Sequence, residues 1–141
     1  MKLHVKDYRG VWKSSHFRQA VNFEGLRWKK LTPTDIDGVV EFWGKGYVII
    51  ETKYKGMELK RGQQLALERM CDDLERAGKP TVLFVTEHST PRDETVRLAS
   101  STVRWFRYKG KNHAPKLDDR DGEPYWLDEA IQDWIEEILL T

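Results

Sequence analysis

Between Tyr47 and Thr86 the hydrophobic pattern changes period twice, and that change limits the folds open to the chain. Tyr47 to Tyr54 is rich in β-branched and aromatic residues and reads as a strand. Leu59 to Ala77 places Leu67, Met70, Leu74 and Ala77 on one helical face, with Gly78 at the expected C-terminal stop and Pro80 just past it. Thr81 to Thr86 is an apolar run suited to a strand covered on both sides. Strand, helix and strand in this order form a crossover, which sets the two strands parallel or nearly so. The class that follows is α/β, with a mixed central β-sheet flanked by helices.

The flanking segments extend this unit. Asp35 to Trp43 alternates as a strand and Gly44-Lys45-Gly46 supplies a tight turn, so the first crossover strand is also the second arm of a hairpin. Residues 14–28 pattern as a helix that Ser14 or Ser15 can cap, with Phe17, Ala20, Val21, Glu24 and Trp28 on one stripe. Downstream, residues 87–100 read as a loop with a helical turn near Val96 to Ala99, and Thr102 to Tyr108 reads as a strand. Residues 109–124 read as a long loop, and Asp128 to Leu140 as an amphipathic helix with Ile131, Trp134, Ile135, Ile138 and Leu139 on one side. The predicted order is α-β-β-α-β-β-α. At 141 residues a single domain is the simplest expectation, with a core over 14–108 and an acidic C-terminal helix over 126–140.

The net charge of +1 conceals a split: residues 1–116 carry 23 Lys and Arg against 14 Asp and Glu, whereas residues 117–141 carry one Arg against nine acids. A cationic body suits a polyanion, because each neutralised phosphate releases counterions. The same split also describes a solvated surface with an acidic tail helix. Cys71 is a single cysteine, so no internal disulfide forms, and with four scattered His it gives no zinc-ligand spacing. No stretch has the apolar length of a membrane span, and Met1 to Asp7 lacks the apolar run of a signal peptide. A cytoplasmic protein with no membrane partner is therefore expected. Neither a calcium loop, a Gly-rich phosphate loop, a nucleophile elbow nor a dinucleotide fingerprint occurs in the sequence.

Chemistry concentrates on the hairpin. Alternation puts Tyr47, Ile49, Glu51 and Lys53 on one face of their strand, and Asp35 and Asp37 on one face of the preceding strand. A carboxylate from that strand can approach Glu51 across the pairing, and two close carboxylates are costly unless a cation sits between them. Mg²⁺ takes hard oxygen ligands, often one or two carboxylates with waters and a substrate phosphate. Lys53 beside such an ion would orient a water or stabilise charge developing at phosphorus. Glu24 lies on the apolar stripe of the first helix, where a carboxylate is costly to bury; it either reaches toward the metal waters or marks the wet edge of the stripe.

The run Thr34-Asp35-Ile36-Asp37-Gly38-Val39-Val40-Glu41-Phe42, a glycine turn, and Val48-Ile49-Ile50-Glu51-Thr52-Lys53 together resemble the active-site hairpin of the PD-(D/E)xK nuclease superfamily. That superfamily includes restriction endonucleases, Holliday-junction resolvases and phage exonucleases. The resemblance covers residues 17 to 86 and implies a restriction-endonuclease-like core. In it Asp37 matches the first acid, Glu51 the second and Lys53 the lysine. The Thr52 carbonyl would match a main-chain metal ligand, Glu24 an acid on the preceding helix, and Gln63 a glutamine early on the following helix. Ile36 replaces the motif proline, and Asp35 stays open as an alternative ligand to Asp37. The implied activity is Mg²⁺-dependent hydrolysis of DNA phosphodiesters by a metal-activated water, with Mn²⁺ as a substitute and a 5′-phosphate product. The superfamily scaffold also hosts inactive nucleic-acid-binding or assembly modules, which is the alternative reading. DNA held in a salt-dependent way is the expected partner, and homo-oligomerisation is left open.

Further residues suit a phosphate backbone. Lys45 on the turn and Lys55, Lys60 and Arg61 after the second strand would grip it, or line a solvated loop. Arg104-Trp105-Phe106-Arg107-Tyr108 alternates basic and aromatic residues, so Arg104 and Arg107 either hold phosphates or face water while the aromatics fill the core. His88, just past the third strand, is a candidate general base, and Cys71 a small core residue.

Overall fold

A computed structural model describes residues 22–141, and the chain divides after Pro33 into two compact units. In the described part of the first, Glu24 and Gly25 form a turn, and Trp28 and Leu31 make an isolated bridge. The helix expected over 14–28 does not run through 22–28, and residues 14–21 lie outside the described residues. The cause is local. Asn22 Oδ1 accepts the Glu24 N–H at 2.8 Å, and Gly25 sits at φ +83°. A side-chain partner for an amide and a left-handed glycine each end a helix.

The second unit, Thr34–Thr141, is an α/β structure with a five-stranded mixed sheet and two α-helices. Strands β1 (Gly38–Glu41), β2 (Tyr47–Tyr54), β3 (Thr81–His88), β4 (Thr102–Tyr108) and β5 (Lys111–His113) lie side by side in chain order. Helix α1 (Arg61–Arg76) carries the chain from β2 to β3, which run parallel in register from Tyr47↔Thr81 to Tyr54↔His88. The other pairings are antiparallel. Helix α2 (Leu127–Trp134) continues through a π-helical turn, Ile135–Leu139. The expected order thus changes to β-β-α-β-β-β-α within this unit. The added strand β5 lies in the segment expected to be a loop, where Lys109 (φ +51°) and Gly110 (φ +74°) turn the chain back onto β4.

Strand alternation sorts the core into two layers. Val48, Ile50, Val82 and Phe84 pack with Leu127, Ala130 and Trp134 of α2. Ile49, Leu83 and Val85 pack on the other face with Leu67 and Cys71 of α1. Each fully buried aliphatic side chain stabilises by about 1.5–3 kcal/mol, so the central strands β2 and β3 anchor the unit. Among the described residues no helix is long and apolar enough to cross a membrane.

Two local features fix the hairpin. Trp43 (φ +51°) and Gly44 (φ +74°) lie in a three-residue loop, 43–45, closed by Lys45 N–H to the Phe42 carbonyl at 2.8 Å and Phe42 N–H to the Gly46 carbonyl at 2.9 Å. Two consecutive positive φ values define the primed turn whose twist matches the flanking strands. Gly46 follows where β2 begins, and a Cβ there would stand 2.5 Å from the Pro80 carbonyl oxygen and 2.9 Å from Leu139 Cδ2.

Candidate active site

Glu51 follows Ile49 on the α1 face of β2 and is only 2% exposed. Its oxygen Oε1 accepts a hydrogen bond from Gln63 Nε2 at 2.8 Å and lies 3.4 Å from Lys53 Nζ. Gln63 stands in the first turn of α1, so the crossover brings the helix start back over the end of the strand it has just left. Lys53, two residues on, shares the Glu51 face by strand alternation.

Asp37 lies one residue before β1. The register Gly38↔Ile50 brings it opposite the end of β2, where its Oδ2 accepts the Thr52 N–H at 2.8 Å. Of the two acids open for this role, Asp37 is therefore the one whose carboxylate reaches β2. Asp35 instead lends its carbonyl to Gln63 Nε2 at 3.4 Å.

Burial pushes the Glu51 carboxyl above its ordinary range, the Asp37 charge adds to that, and Lys53 pulls it back. The second oxygen, Glu51 Oε2, is buried with no hydrogen-bond partner among the described residues. An unsatisfied buried carboxylate oxygen is costly, and a divalent cation or a water is what relieves it. Two carboxylates also match the usual protein share of an Mg²⁺ shell. The donor set thus fits a hard divalent ion, although among the described residues no three His, Cys, Asp or Glu side chains converge as a metal-holding group.

The remaining candidates divide. Lys45, at the hairpin turn, and Lys55, Lys60 and Arg61, between β2 and the first turn of α1, are exposed. Arg104 and Arg107 are not exposed: each is engaged with carboxylates. Arg104 Nε donates to Glu87 at 3.0 Å, while Arg107 holds both Asp72 oxygens at 2.9 and 2.8 Å and Asn112 Oδ1 at 2.9 Å. Their guanidinium groups tie β4 to β3, α1 and β5. Glu24 belongs to the other unit and sits in an exposed turn, not on a buried helical stripe.

Glu87 was not among the expected site residues. It pairs with Lys53 in the β2–β3 register, and counting by two from Leu83 and Val85 puts it on the α1 face. A break in the β3–β4 register, with Val85 opposite Trp105 and Thr86 opposite Val103, leaves Arg104 as the extra residue of a bulge. Such a bulge re-aims a side chain, here toward Glu87. No protein-family model, curated protein or solved structure matches this chain.

Proposed function

We propose that the chain is a divalent-metal-dependent deoxyribonuclease built on a restriction-endonuclease-like core. The observation that carries this is Glu51, a buried carboxylate with one oxygen tied to Gln63 and Lys53, the other unpartnered, and Asp37 beside it. When bound, Mg²⁺ or Mn²⁺ supplies the charge that acidifies a water and shields the phosphate. The chain's own groups orient and balance. Gln63 fixes the rotation of Glu51, and the Thr52 amide fixes Asp37. Lys53 presents an ammonium group at the same spot, suited to hold a phosphate oxygen or a water and to stabilise charge as the phosphorus becomes five-coordinate. Lys45, Lys55, Lys60 and Arg61 are the cations that hold the DNA backbone.

The test is cleavage of plasmid, linear and branched DNA with Mg²⁺ or Mn²⁺. Lys53→Ala is expected to lower the rate by about 10²–10³-fold. No cleavage of any substrate by wild type, or equal cleavage by Lys53→Ala, overturns the proposal. Salt-dependent DNA binding without cleavage would indicate a non-enzymatic binding module instead.

A further inference from the structure

Past the C-terminal ends of β2 and β3 the second unit holds a cavity of about 690 Å³. Its walls come from three places. Lys55 and His88 stand at the strand ends, Arg97 on the segment before β4, and Trp126 at the start of α2. Lys55 lies two residues beyond Lys53, in the turn after β2, and its N–H donates to the His88 carbonyl at 2.8 Å; the walls do not include Asp37, Glu51, Lys53 or Gln63. Glu87 lines the cavity as well, and it is the residue paired with Lys53 in the sheet.

The lining chemistry is specific. Glu87 is neutralised by Arg104 at 3.0 Å, and Glu94 is the other carboxylate in the wall. Lys55 and Arg97 therefore leave the cavity cationic. Trp126 lines the cavity and is 40% exposed, so its indole is available as a stacking surface. Thr90 N–H donates to His88 Nδ1 at 3.2 Å, so Nε2 is the ring nitrogen left to meet another partner. A volume of this size, with two cations and an indole, suits one nucleotide: base on Trp126, phosphate between Lys55 and Arg97.

We infer that this cavity takes a single unstacked nucleotide of a DNA strand, past the strand ends that carry Lys53 and Glu87. The inference rests on the nuclease reading for the polymer to which that nucleotide belongs. A duplex keeps its bases stacked inside, so the substrate offers a frayed end, a gap or a flipped base at this position.

Calorimetric titration of the full chain with deoxyadenosine 5′-monophosphate, deoxyadenosine and inorganic phosphate tests it. The nucleotide is expected to bind at least about tenfold more tightly than either fragment. Arg97→Glu and Trp126→Ala should each weaken it by about tenfold, and Trp126→Phe should retain it. Because Trp126 precedes α2 and its loss can disturb folding, Arg97→Glu at an exposed position carries the test independently. Lys53→Ala should bind the nucleotide as wild type does while losing cleavage, which separates the two readings. Nucleotide binding without cleavage by wild type removes the nuclease and leaves the cavity's ligand standing. Nucleotide affinity no greater than that for phosphate, or unchanged in Arg97→Glu, overturns the inference even if DNA is cleaved.

Discussion

Glu51 works against the fold that holds it. Its carboxyl is raised by burial and by Asp37, so the protonated form favours folding. For a raised carboxyl, that contribution is complete below the ordinary value of 4.5 and is lost as pH rises through the raised value; above it the ionised group opposes folding. Metal-free Glu51→Gln should therefore be more stable than wild type at pH 7, and the gain should vanish below about pH 4.5. Urea denaturation across that range measures it. Added Mg²⁺ should stabilise wild type and leave Glu51→Gln unchanged, since an ion that binds only the folded state raises its stability. A flat pH response, or equal stabilisation of both proteins, would remove Glu51 as a cation ligand.

At the scale of elements, the hairpin tip shows another local cost. Trp43 takes a left-handed backbone where Asn, Asp or Gly is favoured, and it is 86% exposed. Trp43→Asn should raise stability by about 0.5–1 kcal/mol, read as a higher urea midpoint with unchanged slope. The elements readable from sequence were those with a strong period. The β2–α1–β3 crossover carries an apolar run, a helical face and a second apolar run, so its two strands and helix appear within a few residues of the expected bounds. Strand β5 was hidden because Lys111-Asn112-His113 has no β-branched or apolar residue, and only the Lys109-Gly110 turn signalled it. Among the described residues the first helix does not continue through Asn22 and Gly25, turn-forming residues inside an apparently regular stripe. Within the site, alternation on β2 and the helix start at Gln63 brought Glu51, Lys53 and Gln63 together as read. The partners of Arg104 and Arg107 were not legible, because a sequence gives charge without neighbours: Glu87, Asp72 and Asn112 approach only through the sheet and helix packing.

Across the whole second unit the two faces of the sheet carry different helices. The acidic helix α2 packs against Val48 and Ile50, while Glu51 and Lys53 share the opposite face with Ile49 and α1. Lys60 and Arg61 stand at the start of α1, the helix on the Glu51 face. Lys60→Ala and Arg61→Ala should each reduce the slope of log binding constant against log salt by about 0.9. Arg107→Ala should leave that slope intact and cost about 2 kcal/mol of stability, because it strands Asp72 and Asn112. Equal slopes for Lys60→Ala, Arg61→Ala and wild type would remove those cations from the DNA contact. Gly46 connects stability to chemistry at a distance. The missing side chain lets the hairpin close against the Pro80 carbonyl, and Tyr47 N–H donates to that carbonyl at 3.0 Å. That contact sets the zero point from which the two parallel strands count their pairs, and Glu51 sits four steps further along. Gly46→Ala should shift the origin of the count, so folding stability and cleavage should decline together, whereas Lys53→Ala should separate them.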